Sequence, residues 1–138
     1  MDCFSVVAIR GDQIIDQFRL FHRTRAEVVE AILRDGFRDS EQWLGCSGSD
    51  LEGVFLSDIP VTCQDGAKGE ALIEVIFDIP EHEISSQFEF LDEGQLFREF
   101  MVPAQFIREH AKLRLLIDEE IEELECWAVE VRLRRSVN

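Results

Sequence analysis

The chain has 138 residues, room for one core of the usual size of about 100–150 residues, so a two-domain enzyme is excluded and a single domain over 1–138 is expected. A composition of 46% hydrophobic and 31% charged residues fits a globular fold and excludes a disordered or collagenous chain. The formal net charge of −15 repels phosphate backbones and anionic lipid, which disfavours nucleic acid and membrane surfaces as partners.

The opening MDCFSVVAIR has neither the basic region nor the apolar stretch of a signal peptide, and no run reaches the ~20 apolar residues of a membrane helix. A cytoplasmic protein is expected. Cys3, Cys46, Cys63 and Cys126 form no CxxC pair, so free thiols are expected, with no redox dithiol and no metal site.

CFSVVAI and QIIDQFRLFHRT read as two strands joined by a tight turn at Gly11–Asp12. In the second, the period of two places Phe18, Leu20, His22 and Thr24 on one face, so His22 points with apolar neighbours. Thr24 and Glu27 have capping-box spacing, and Val28, Val29, Ile32 and Leu33 form an apolar stripe that stops at Gly36. These residues predict a helix over 25–35. The Gly- and Ser-rich stretch 37–52 reads as a long loop.

GVFLSD (53–58) and ALIEVIFD (71–78) read as strands, with a weakly structured segment between them. FEFL and LFREFMV flank Asp92, Glu93 and Gly94 as a hairpin, and Pro103 in the N1 position opens a short helix, PAQFIREH. KLRLLI and CWAVEVRLR read as two more strands, separated by a solvated acidic run, DEEIEELE. His82 and His110 read as surface residues. Seven or eight strands and two or three short helices without regular βα alternation predict an α+β fold built on antiparallel sheet.

Three segments, taken in order, resemble the ADP-ribosyltransferase superfamily, in particular its diphtheria-toxin and poly(ADP-ribose)-polymerase branch. LFHRT followed by AILRDGF is similar to that branch's strand ending in His-Gly-Thr/Ser and the helix after it. GVFLSD resembles its Gly-Ile-Tyr-Phe-Ala-Asp strand, and REFMV resembles the strand that carries the catalytic Glu. The resemblance spans 20–102 and implies two small, mainly antiparallel sheets around an NAD-binding cleft, with NAD as donor substrate. The acceptor it implies is a macromolecule such as a protein, or water.

The resemblance also implies roles for individual residues. Glu99 and His22 would be catalytic, and His22, Arg23, Thr24, Phe55 and Ser57 would contact NAD. Cleavage of the nicotinamide–ribose bond passes through an oxocarbenium-like transition state, so a fixed carboxylate such as Glu99 gains value as positive charge develops. His22 would bond the adenosine ribose with Thr24 assisting, and Phe55 would stack on the nicotinamide. The loop over 38–52, with Trp43, Gly45 and Gly48, would cover NAD and order when it binds.

The chain departs from the family pattern in three places. Arg23 stands where the family has Gly, though strand alternation turns its side chain to the other face. Phe55 stands where it has Tyr, and Phe97, two residues before Glu99, removes the pattern of arginine-modifying relatives. Read without the resemblance, His22 is a strand histidine and Glu99 an edge-strand charge that deters pairing. Two other functions compete: an RNA 2′-phosphotransferase-like protein, which needs a basic patch such as Arg23, Arg25, Arg34 and Arg38, and a non-catalytic interaction module that kept the fold.

Overall fold

The computed structural model describes residues 7–10, 13–43, 50–61, 69–90 and 94–137, with the backbone alone over 7–10, 13–16, 40–43 and 50–52. β1 (Val7–Arg10) and β2 (Gln13–Asp16) pair antiparallel, with Arg10 opposite Gln13. The hairpin expected from the Gly11–Asp12 signal is present, although the turn itself lies outside the described residues. QIIDQFRLFHRT is not one strand. β2 stays with β1, and β3 (Arg19–Thr24) enters a different sheet.

α1 (Ala26–Asp35) follows, and its N-cap is Arg25 without a side-chain hydrogen bond. The Thr24–Glu27 capping box does not form, because Thr24 is still strand, paired with Ala71. Gly36 ends the helix at φ 85°, its N–H bonding the Ile32 carbonyl at 2.8 Å. The stretch read as a loop instead contains β4 (Ser40–Trp43), which pairs with the start of β5 (Asp50–Ser57). The residues between these strands, with Gly45 and Gly48, lie outside the described residues. So does most of the segment between GVFLSD and ALIEVIFD.

β6 (Ala71–Phe77) runs as expected, and α2 (Glu81–Phe88) occupies the segment after Pro80. β7 (Glu89–Phe90) and β8 (Glu99–Val102) pair antiparallel, a shorter version of the expected hairpin. α3 (Ala104–His110) has Pro103 as its N-cap rather than at N1, and β9 (Ala111–Leu115) follows. The acidic run and CWAVEVRLR are neither loop nor strand. Together they form one helix, α4 (Asp118–Ser136).

The fold is α+β, with every strand pair among the described residues antiparallel. The order is β7-β8-β5-β3-β6-β9, with β4 added beside β5, so one main sheet stands where two sheets around a cleft were expected. Its centre is weakly joined. β3 and β5 share one register pair, Phe21 with Ser57, whereas six pairs join β3 to β6.

Each face buries its own core. On one, Leu20, Val54, Leu56, Ile73, Val75, Phe77, Phe100 and Val102 pack with Ile84 of α2 and Ile107 of α3. On the other, Phe21 and Leu72 meet Leu124 of α4, while Ile59, Val61 and Phe97 meet its Ala128 and Val131. A charged cluster sits at the side of this second face. Glu74, 1% exposed, accepts from Arg19 at 2.7 Å and Arg114 at 2.9 Å, and Arg114 also reaches Glu120 at 2.7 Å. Burial of Glu74 is tolerated because two guanidiniums replace its water.

Candidate functional site

Residues directly opposite in an antiparallel ladder share a face. The pairs Phe21–Ser57, Ser57–Glu99, Phe90–Glu99 and Phe55–Met101 therefore place Phe55, Ser57, Phe90 and Glu99 together on the α4 side. Glu99 is 6% exposed, and β8 is flanked by β7 and β5. It is not an edge-strand charge. It is a buried carboxylate in an aromatic setting, with Phe90 opposite it and Phe55 and Phe90 in edge contact, ring centroids 6.3 Å apart.

Phe55 is half-buried and packs against Ile59, Val61 and Phe97 beneath Ala128 and Val131 of α4. The Ser57 hydroxyl is fully buried and donates to the Ile59 carbonyl at 2.6 Å, so it holds the bend after β5. Asp58, the last residue of GVFLSD, is a clamp. It accepts from the Arg98 N–H at 2.8 Å and from Arg135 Nη2 at 2.6 Å, tying β5, the approach to β8 and the end of α4 together.

His22 points to the opposite face from Phe55 and Glu99. Its ring makes an edge contact with the buried Phe37, centroids 4.9 Å apart, and its Nδ1 lies 2.8 Å from the Phe55 carbonyl oxygen. A carbonyl only accepts, so Nδ1 carries the hydrogen and the neutral ring's Nε2 is left as an acceptor. Burial lowers the imidazole's pKa below its ordinary value, and the bond to Phe55 partly opposes this. The imidazole therefore bridges the weakly paired centre of the sheet in its neutral form.

Arg23 points to the α4 side, as alternation requires. Its Nε donates to the Val61 carbonyl and its Nη2 pairs with Glu125 at 2.9 Å. Only its backbone is available for the family contact. Thr24 ends β3 beside Gly69, where a Cβ would stand 2.1 Å from the Thr24 carbonyl carbon and oxygen. Gly69 holds φ +110°, so this approach needs a glycine in both respects.

The candidate residues thus lie on the adjacent strands β8, β5 and β3, with Phe55, Ser57 and Glu99 on one face and His22 reaching Phe55 through its backbone. They do not line a single open cleft, because α4 covers the side that Phe55 presents. Sequence reasoning missed the α4 contribution, Glu125, Ala128 and Val131, by reading that segment as loop and strand. It also missed Phe90, which only the β7–β8 register places opposite Glu99. Among the described residues no cluster of His, Cys, Asp or Glu could hold a metal, and no helix is long and apolar enough to cross a membrane. Cys126 is a free, exposed thiol, and the other three cysteines lie outside the described residues.

The chain matches no protein-family model, no curated protein and no solved structure.

Proposed function

We propose that the chain is an NAD-dependent enzyme of the ADP-ribosyltransferase kind, cleaving the nicotinamide–ribose bond and passing ADP-ribose to a macromolecular acceptor or to water. One observation carries this reading. A buried carboxylate, Glu99, shares a face with Phe55 beside the strand that bears His22. The carboxylate has the charge needed opposite a developing oxocarbenium ion, and its low-dielectric surroundings strengthen that interaction.

In this reading the C1′–nitrogen bond breaks with its electron pair leaving on nicotinamide, and the acceptor oxygen or nitrogen, or water, attacks the ribosyl carbon. Glu99 stabilises the positive charge between these events. His22, held neutral with Nδ1–H on the Phe55 carbonyl, acts from the far face of the sheet as a positioning residue that fixes the stretch of β5 bearing Phe55. Phe55 supplies an aromatic surface for the nicotinamide, and the water-poor core beside it protects the cation from indiscriminate hydrolysis.

A second reading, an interaction module without catalysis, is favoured by the packing of Phe55 beneath α4. The phosphotransferase reading is weakened by the engagement of Arg23 with Val61 and Glu125, which removes it from the basic patch that RNA phosphate needs. Calorimetric titration with NAD, paired with an assay for released nicotinamide, separates these readings. The enzyme binds NAD and releases nicotinamide. Absence of binding at millimolar NAD refutes the enzyme and leaves the module.

A further inference from the structure

α4 is apolar on two opposite faces. Leu124, Ala128 and Val131 are buried against the sheet. On the outer side, Val129 is 56% exposed, Leu133 62% and Val137 81%, and Cys126 is exposed as well. Positions 126, 129, 133 and 137 have the three- and four-residue spacing of a single helical stripe. The packing of this chain does not require apolar residues there, since α4 is already held from below by its core residues and by Arg135 on Asp58.

The charges beside the stripe indicate what covers it. Glu130 and Arg134 are exposed and four residues apart, flanking Leu133. When two α4 helices lie antiparallel about a two-fold axis at the level of Arg132, midway between them, Glu130 of each copy faces Arg134 of the other. Leu133 then lies nearest the axis, with Val129 and Val137 extending the contact to either side. A parallel arrangement would instead carry the Glu130–Arg134 edges of the two copies to opposite sides of the seam, where they do not meet. Antiparallel helices also oppose their macrodipoles favourably, and the two-fold arrangement is self-complementary, as an isologous interface must be.

We propose that this stripe is a homodimer contact, α4 packing antiparallel on α4 of a second copy. A single helical stripe buries less than the ~800 Å² per partner of a standard interface, so the dimer is weak and concentration-dependent. The net charge of −15 on each copy opposes association, and added salt that screens it strengthens the dimer.

Sedimentation equilibrium of the full chain up to about 1 mM tests this. The expected result is a monomer–dimer equilibrium that Leu133→Glu weakens by about 10-fold or more. Glu130→Arg and Arg134→Glu each weaken it by roughly 3-fold or more, and the double exchange restores affinity to within about 2-fold. All three side chains are exposed, so the variants keep the wild-type circular dichroism. A monomer at every concentration, or a dimer indifferent to Leu133→Glu, overturns the proposal. Loss of the dimer in Leu133→Glu without rescue by the double exchange overturns the antiparallel arrangement.

Discussion

Because the His22 ring is held below its ordinary pKa by burial, folding stability must depend on pH in a window that belongs to this residue. The unfolded chain takes up a proton at His22 as pH falls past 6.5, while the folded chain resists it. Stability is therefore complete above pH 6.5 and falls as pH drops toward the folded pKa. One proton sets the slope at no more than about 1.4 kcal/mol per pH unit, against a total of roughly 5–15 kcal/mol for a domain. Glu89 and Glu120, whose pKa values are lowered below 4.5 by Arg98 and by the Ile117 N–H respectively, lose their contributions only at still lower pH. The windows are thus separable. Urea unfolding between about pH 5 and pH 8 measures the slope, and His22→Gln supplies the reference, since its amide can still donate to the Phe55 carbonyl but does not titrate. Wild type should lose stability below pH 6.5 more steeply than His22→Gln. Parallel curves for the two proteins would refute the account of a buried, neutral imidazole.

Glu99→Gln keeps the shape of the carboxylate and removes its charge, so nicotinamide release should fall by about 100-fold or more with NAD affinity nearly kept. Full release in a folded variant would sink the mechanism. His22→Ala should weaken NAD binding instead, and calorimetry showing unchanged affinity would remove His22 from the site. Gly69→Ala forces a Cβ to within 2.1 Å of the Thr24 backbone at a φ of +110°. It should cost about 3 kcal/mol or more, lowering Tm by roughly 10 °C, and a thermal scan that shifts by less than about 2 °C contradicts the close approach. Arg135→Ala releases the end of α4 from Asp58 and the Leu96 carbonyl. With its guanidinium partly exposed, the expected loss is only about 1 kcal/mol in urea unfolding.

Much of the architecture was legible from local pattern. The apolar spacing in α1 and its Gly36 stop, the alternation in β3, and the pairing of β7 with β8 all follow rules that operate over a few residues, whereas β6, whose Glu74 reads as a sign of a half-exposed strand, is buried on both faces. α4 was not legible for a physical reason. CWAVEVRLR alternates apolar and polar residues because a two-faced helix buries Ala128 and Val131 while exposing Val129 and Leu133, and the two stripes together mimic the period of a strand. The acidic run before it is a favourable first turn, with Asp118, Glu119 and Glu120 at the positive end of the helix dipole and Glu120 accepting the Ile117 N–H at 3.0 Å. α2 was hidden because Ile84 is its only buried residue, too little to make a stripe. At the candidate site, the motifs identified Phe55, Ser57 and Glu99, but that all three lie on the opposite face from His22 depends on long-range register.

The sparse join between β3 and β5 has a mechanical consequence. A sheet resists bending and sliding through its ladder bonds, and here the line of least stiffness runs through the middle of the sheet rather than along its rim. Among the described residues, the strands on one side of it, β7, β8 and β5, can tilt against β3, β6 and β9 at the cost of the pairing at Phe21 and Ser57, the imidazole bridge and the Arg23 bond to the Val61 carbonyl. α4 spans that line, resting on Leu72 and Phe21 at one end and on Ile59 and Phe97 at the other, and so acts as a splint that sets how far the two halves can part. Amide deuteration should register this as faster exchange along the inner edges of β3 and β5 than between β3 and β6, with the contrast growing whenever α4 is loosened.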